Sequence, residues 1–118
     1  MASRKDILDQ ALSCVNGERD EQYGNPENNF DIIAQFWMEY LMTCGAVSTD
    51  VPVYIRAEDV AAMLALLKIS RIATGQPKMD NWVDLAGYAA CGGEIQTTKV
   101  DESKATVTLH ERFSKGKG

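Results

Sequence analysis

The sequence lacks a hydrophobic run long enough to cross a membrane. Its longest apolar stretch, Val60 to Leu67, has eight residues, whereas a membrane-spanning helix needs about 20. Residues 1–9 are charged and contain no apolar core of the kind that marks a secretory signal peptide, so we expect none. We therefore expect no membrane partner and a cytoplasmic location.

Cysteine and histidine are scarce and scattered. Cys14, Cys44 and Cys91 are odd in number and far apart, so they fit neither a disulfide framework nor a zinc site, whose ligands come in close pairs. Each falls in an apolar helical pattern, and we expect small, buried, reduced side chains. His110 stands alone in a polar tail, so we expect neither catalysis nor metal binding from it.

Positive charge is also limited. The chain has 12 basic and 17 acidic residues, for a net charge of −5. A nucleic-acid-binding protein needs a basic face to neutralise phosphates, and outside the tail no block of basic residues occurs. We therefore expect no nucleic-acid partner, although one or two well-placed cations suffice for a small phosphorylated ligand.

What the sequence does contain is helical periodicity. Ser3 followed by Asp6 predicts a capping box at the start of a first helix, from Arg4 to Val15. A polar stretch over residues 16–29 follows, in which Pro26 either belongs to a turn or begins the second helix, with Asn25 as its cap. The second helix carries a wide aromatic stripe and ends at Gly45.

Two more helices complete the expected fold. The third runs from about Asp59 to Ala73, before Gly75. The fourth is expected to be capped by Asp80 and to end near Ile95, with Gly92 and Gly93 at its terminus. Trp37 and Trp82 lie at helical spacing and are expected in the core. We predict an all-α bundle of four to five helices over residues 1–96. A polar tail, residues 97–118, is expected to be flexible or to form a short β-strand over residues 106–113.

The third helix is apolar on almost every side. Between Val60 and Ala73 only Lys68, Ser70 and Arg71 are polar. Because four short helices cannot surround one of their number completely, we expect a second copy to cover the remainder. The chain is predicted to form at least a dimer that buries more than about 1,000 Å².

The two cations of this helix are the first candidate site. Lys68 and Arg71 are three residues apart and so lie on one side of the helix. Asp80 and Asp84, four residues apart, share one face of the next helix, and Tyr88 extends that face. Either these charges pair to lock the two helices together, or they line a cleft in which the cations bind a ligand phosphate.

The second candidate site is the amide-rich stretch from Glu21 to Asn29. Tyr23 is placed to stack on a base, and the amides of Asn28 and Asn29 are suited to its edge. The alternative is an ordinary turn in which Asn28 or Asn29 caps the second helix.

Four stretches together resemble a family of small uncharacterised phage proteins. The resemblance covers about residues 6–95 and is carried by the combination, since each stretch alone is common. The stretches are Glu21-x-Tyr23-Gly24-x-Pro26-x-x-Asn29-Phe30, Glu58-Asp59-Val60, Leu67-Lys68-Ile69-x-Arg71-Ile72 and Asp80-Asn81-Trp82-Val83-Asp84-x-x-Gly87-Tyr88-Ala89-Ala90, with Glu94. That family resembles the MazG-like nucleoside triphosphate pyrophosphohydrolases, which implies an all-α, oligomeric fold.

The resemblance to the enzymes breaks at their metal site. In MazG-like enzymes an ExxE pair on one helix and an ExxD pair on the next hold Mg²⁺ against the triphosphate. By spacing, Asn81 and Asp84 stand where ExxD is expected, and Lys68 and Arg71 lie in the region of ExxE. Cations in place of carboxylates remove the metal site but keep affinity for phosphate, which implies binding without hydrolysis.

Three functions stay open. The favoured one is binding of a small phosphorylated nucleotide, with no catalytic residue, metal or cofactor, to sequester a (cyclic) nucleotide immune signal in the host cytoplasm, as some small oligomeric phage proteins do. The second is a divergent Mg²⁺-dependent pyrophosphohydrolase, with Glu21, Glu58, Asp59, Asp80 and Asp84 as metal ligands. The third is a structural or interaction module. In the favoured function the ligand contacts are Tyr23, Asn28, Asn29, Lys68, Arg71, Asp80, Asp84 and Tyr88.

Overall fold

The computed structural model describes residues 1–16, 25–51 and 53–105, with residues 100–105 described by their backbone only. The described residues form four helices and no strand, as expected for an all-α chain. The helices are α1 (Arg4–Val15), α2 (Pro26–Thr43), α3 (Ala57–Thr74) and α4 (Met79–Ala105). Tyr23, Glu21, His110 and the expected strand over residues 106–113 lie outside the described residues. No described helix is long and apolar enough to cross a membrane.

The starts of α1 and α2 follow from local sequence: α1 begins as predicted, and α2 begins by one of the alternatives that the sequence left open. The Ser3 hydroxyl accepts the Asp6 backbone N–H at 3.1 Å, and the Asp6 carboxylate accepts the Ser3 N–H at 3.0 Å. Pro26 is the first residue of α2, and the side chain of Asn25 caps the helix by accepting the Asn28 N–H at 2.9 Å. The alternatives in which Asn28 or Asn29 is the cap are therefore wrong.

The start of α4 and its length differ from expectation. The helix begins at Met79, so Asp80 lies in the first turn and is not the cap. It also continues through Gly92 and Gly93 to Ala105 instead of ending near Ile95. Gly92 has a packing role: a Cβ there would lie 3.0 Å from the Cβ of Ala61 on α3. A glycine that permits close helix packing does not end the helix.

The antiparallel pair of α3 and α4 forms the centre of the fold. Lys68 on α3 contacts Asp84 on α4, and Glu58 contacts Lys99, which fixes the antiparallel register. The helix α1 packs on α4, and α2 packs mainly on α3. The buried cluster is small and half of it is alanine; its members are Phe30, Ala34, Ala57, Val60, Ala61 and Ile95.

Several side chains that the sequence predicts to be in the core are exposed to solvent in a single chain. Trp37 packs partly buried against the core, but Trp82 is 51 % exposed. Cys14 and Cys44 are exposed and Cys91 is half-buried, so the expectation of three buried thiols is wrong for two of them. Cys14 and Cys44 face away from the small core because α1 and α2 each bury only one narrow side. Trp82 lies on a side of α4 that faces solvent.

Gly92 and Gly93 give a matched test of this packing. Gly93→Ala places a methyl group in open space, so the better helix propensity of alanine should raise the free energy of unfolding by up to about 1 kcal/mol. Gly92→Ala should show no such gain, and Gly92→Val should lose about 1–3 kcal/mol because α3 must move away. Urea denaturation measures all three, and wild-type stability of Gly92→Val would contradict the close approach of the helices.

Candidate functional site

The buried cation of α3 is held by an ion pair. Lys68 is only 8 % exposed, and its Nζ donates to Oδ2 of Asp84 on α4 at 2.7 Å. Burying an ammonium group without a partner costs several kcal/mol, so this pair is needed for α3 and α4 to meet as they do. For Lys68 and Asp84 the structure therefore has the helix-locking arrangement, one of the two that the sequence left open.

Arg71 and Asp80 do not join that pair. Both side chains are exposed, and neither forms an ion pair with another described residue. Lys68 and Arg71 are about 60° apart around α3, which is enough to bury one against α4 and leave the other in solvent. The four charges predicted as one cluster are thus a buried pair and two separate surface groups.

A groove of about 300 Å³ lies between the first half of α3 and the middle of α4. Its floor consists of alanine and glycine from both helices, and its polar lining comes from five larger side chains. The small residues are Ala61, Ala62, Ala65, Ala89, Gly92 and Gly93; the polar ones are Arg56, Glu58, Asp59, Tyr88 and Gln96. The groove exists because the alanine and glycine side chains are too small to fill the space beside the contact between α3 and α4.

One end of the groove is a network of opposite charges. The guanidinium of Arg56 donates from Nε and Nη2 to the two carboxylate oxygens of Asp59, at 3.0 and 2.9 Å. Nζ of Lys99 on α4 donates to Oε1 of Glu58 at 2.7 Å, while Nη1 of Arg56 lies 3.9 Å from Oε2 of Glu58. Each carboxylate is thus neutralised by a cation of the same chain.

This network shifts the protonation equilibria of its members. The hydrogen bonds to Asp59 raise the pKa of Arg56 above its ordinary value, against the opposing effect of partial burial. Burial by itself raises the pKa of Glu58, but the hydrogen bond from Lys99, its own backbone N–H and the charges of Lys99 and Arg56 outweigh burial. The pKa of Glu58 therefore lies below its ordinary value of 4.5, and the carboxylate is ionised at neutral pH.

The groove contains only part of the predicted site. Tyr88 lines it, as do Glu58 and Asp59 from the alternative metal set. The remaining described candidates do not line it; they are Asn28, Asn29, Lys68, Arg71, Asp80 and Asp84. Tyr23 and Glu21 lie outside the described residues.

Sequence reasoning missed Arg56 and Gln96 altogether. The available signal was the spacing of small residues on two successive helices: Ala61, Ala62 and Ala65 on the first, and Ala89, Gly92 and Gly93 on the second. Small side chains three or four residues apart on both partners indicate helices that approach closely and leave a groove beside the contact.

The Lys68–Asp84 pair is tested by removing its carboxylate. Asp84→Asn leaves the buried ammonium without its partner. Because Asp84 itself is one-third exposed, we expect a loss of about 2–3 kcal/mol, less than the roughly 3–5 kcal/mol of a fully buried pair. Asp80→Asn removes an exposed carboxylate and should cost less than about 1 kcal/mol. In thermal melts, equal effects of the two variants would show that the pair does not lock the helices.

The bridge between Glu58 and Lys99 is tested by pH. Because the folded pKa of Glu58 lies below the unfolded value, its stabilisation is present above about pH 4.5 and is lost as acid protonates it. At pH 7, Glu58→Gln should lower the free energy of unfolding by about 1 kcal/mol, since the pair is partly solvated. That difference from the wild type should shrink towards pH 3. Glu94→Gln, at an exposed position of α4, is the control, and a Glu58→Gln deficit that persists in acid would rule out the bridge as its cause.

Comparison with known proteins shows where the chain belongs. Residues 6–96 match the family described as a domain of unknown function, DUF6378. The chain is 34 % identical over 95 residues to the Gene 55 protein of Mycobacterium phage D29, covering 80 % of this chain and 56 % of that protein. It is 34 % identical over 110 residues to the Gene 55 protein of Mycobacterium phage L5, covering 93 % of this chain and 58 % of that protein.

The chain thus spans little more than half the length of these curated relatives. No solved structure matches it. The predicted resemblance to small phage proteins is confirmed by these matches, while the MazG-like part of the resemblance stays a prediction. The chain belongs to the DUF6378 family and has its relatives among phage proteins.

Proposed function

We propose that this chain binds a small phosphorylated nucleotide in the groove between α3 and α4 and holds it without hydrolysis, so that it sequesters a (cyclic) nucleotide signal of bacterial immunity. The observation that carries the proposal is the groove itself. Its volume of about 300 Å³ is at the lower end of ligand pockets, which combine an apolar surface with a few polar groups. The sequestering role rests on analogy with other phage proteins, since a fold does not fix a function.

The floor of the groove suits a flat heterocycle. Alanine and glycine let a planar ring approach the surface of the two helices closely. Tyr88 and Gln96 line the groove beside this floor, and a phenol together with an amide supplies both donors and acceptors for a base edge. In this proposal the base lies on the alanines and is recognised by these two side chains.

The charged end of the groove supports phosphate binding through Arg56. Its Nε and Nη2 are engaged with Asp59, but a guanidinium has five N–H donors, so others remain for a phosphate oxygen. Arg71, exposed on the last turn of α3, is the alternative phosphate contact and lies outside the groove lining. The proposal assigns the phosphate to Arg56 first.

The charge pairing of the groove favours binding over metal-dependent hydrolysis. Mg²⁺ takes several oxygen ligands, usually carboxylates with phosphate and water. Glu58 and Asp59 are the carboxylates of the groove, and each is paired with a cation of the chain. Asp84 is paired with Lys68, and among the described residues no three acidic, histidine or cysteine side chains come together. The MazG-like relationship and the oligomeric state belong to the same proposal.

Filling the groove is the direct test. At Gly93 an added Cβ meets nothing within 4 Å, so Gly93→Leu extends into the groove without disturbing the helix contact. Ala90→Leu adds the same bulk at an exposed position that does not line the groove. Calorimetry with nucleoside mono-, di- and triphosphates and cyclic mono- and dinucleotides should find a ligand whose binding survives EDTA. Gly93→Leu should weaken it more than 10-fold, and Ala90→Leu should not.

The same assay separates the alternatives. Turnover of a nucleoside triphosphate that requires Mg²⁺ would favour the pyrophosphohydrolase, and failure to bind any nucleotide of the panel would favour an interaction module. Arg71→Met should leave stability unchanged because the side chain is exposed. A loss of affinity of about 1.5–3 kcal/mol in that variant would move the phosphate contact from Arg56 to Arg71.

A further inference from the structure

The side of α3 that faces solvent carries no charge over most of its length. Ala62, Leu66, Ile69 and Ala73 are exposed and spaced by four, three and four residues, the spacing with which one helix packs along another. Leu66 is 62 % exposed and Ile69 47 %. Arg71 lies about 200° around the helix from Ile69 and so belongs to a different side.

The neighbouring helix α4 extends this surface. Trp82, Ala89 and Gly93 share one side of α4, at spacings of seven and four residues. Ala89 and Gly93 line the groove, and Trp82 is exposed on the same side. The α3/α4 face is defined here as Ala62, Leu66, Ile69 and Ala73 of α3 with Trp82, Ala89 and Gly93 of α4.

One half of the α3/α4 face projects and the other half is hollow. The Lys68–Asp84 contact brings the segment of Ile69 next to the segment of Trp82, so these large exposed side chains belong to the same half of the face. The Ala61–Gly92 approach brings small residues together at the other end, where the groove lies. The two halves are about 10 Å apart along α3, from Ala62 to Ile69 at 1.5 Å per residue.

We infer that two copies of this chain pair through their α3/α4 faces, about a two-fold axis that passes near Leu66. Such an axis turns one copy end over end, so that the projecting half of each face meets the hollow half of the other. A two-fold interface requires a surface that complements itself, and this face does so in shape and in its lack of charge. Binding of an unrelated protein would not require the α3/α4 face to complement itself in this way.

The size of the core and of the face agrees with pairing. Among the described residues only eight hydrophobic side chains are buried, four of them alanine, while fourteen large ones are exposed. From Ala62 to Ala73 the face is roughly 17 Å long and two helices, about 20 Å, wide. Two such faces outline about 700 Å² in projection, and more as accessible surface, which approaches the roughly 1,000 Å² of a specific interface.

Pairing also completes the groove. With the hollow half facing the partner, side chains from the projecting half of the partner copy lie over the mouth of each groove and leave its floor to the ligand. Water is then excluded from a ligand held on the floor, and each site is made by two chains. Only this last consequence rests on the proposed function, because the pairing itself is argued from the apolar face.

A second exposed apolar stripe, on α2, provides the control. Ile32, Phe36 and Tyr40 are exposed at four-residue spacing, but the polar side chains of Gln35 and Glu39 flank them. Leu66→Glu and Phe36→Glu therefore introduce the same charge on the two competing surfaces. Both side chains are well exposed in one chain, so both variants should keep the helical content of the wild type by circular dichroism.

The experiment is light scattering of the nucleotide-free protein from 1 to 100 µM. One chain has a mass of 13.0 kDa. The wild type and Phe36→Glu should approach twice that mass, and Leu66→Glu should have the mass of one chain. In a Trp37→Phe background, the emission of Trp82 should shift to shorter wavelength as the concentration rises, and Leu66→Glu should abolish that shift.

Two outcomes would overturn the inference. One is a wild type that has the mass of a single chain at 100 µM. The other is dissociation by Phe36→Glu but not by Leu66→Glu, which would place the interface on α2. Failure of every nucleotide to bind would contradict the proposed function but not the pairing, because the mass is measured without ligand.

Discussion

The close approach of α3 and α4 at Ala61 and Gly92 is the constraint on which the other features depend. Because a Cβ at Gly92 would lie only 3.0 Å from the Cβ of Ala61, the methyl group of Ala61 lies against the backbone of Gly92. The long side chains that hold the two helices lie on either side of this contact. Lys68 reaches Asp84 towards one end and Lys99 reaches Glu58 towards the other. The groove, its floor of small residues and the hollow half of the α3/α4 face all result from this one contact.

Charge in the groove is largely balanced within the chain. Each acidic side chain of the lining has a cation beside it, and Lys68 is paired with Asp84 nearby. A site of this kind has few free carboxylates for a metal ion but retains guanidinium donors for an anion. The electrostatics therefore agree better with holding a phosphorylated ligand than with activating water. Although burial raises the pKa of Glu58, the hydrogen bond and charge of Lys99 outweigh it and keep the carboxylate ionised at neutral pH.

Sequence reasoning succeeded where the cause is local. The caps at Ser3 and Asn25, and the ends of α2 and α3 at Gly45 and Gly75, involve residues within four positions of each other. It failed where the cause lies on another helix. The prediction that Gly92 ends its helix is wrong, because the close approach of Gly92 to Ala61 is a contact between helices that the local sequence does not reveal.

The candidate site was predictable only in part, for the same reason. Lys68 and Arg71 are only three residues apart. Which of the two is buried depends on how α3 is rotated about its axis where it packs on α4, and the sequence does not give that rotation. Arg56 was missed because it owes its place to Asp59 beside it and to the groove that α4 completes. Tyr88 was predicted from helical spacing alone, and it does line the groove.

Whether a nucleotide occupies this groove is measured by NMR of protein with ¹³C-labelled alanine methyl groups. On titration with a nucleotide that binds, the methyl signals of the alanines that line the groove should shift; these are Ala61, Ala62, Ala65 and Ala89. Ala11, buried on α1, and Ala46, exposed after α2, do not line the groove, and their methyl groups should not shift. Saturable shifts of the alanines outside the groove, with the groove alanines unchanged, would show that the nucleotide binds elsewhere.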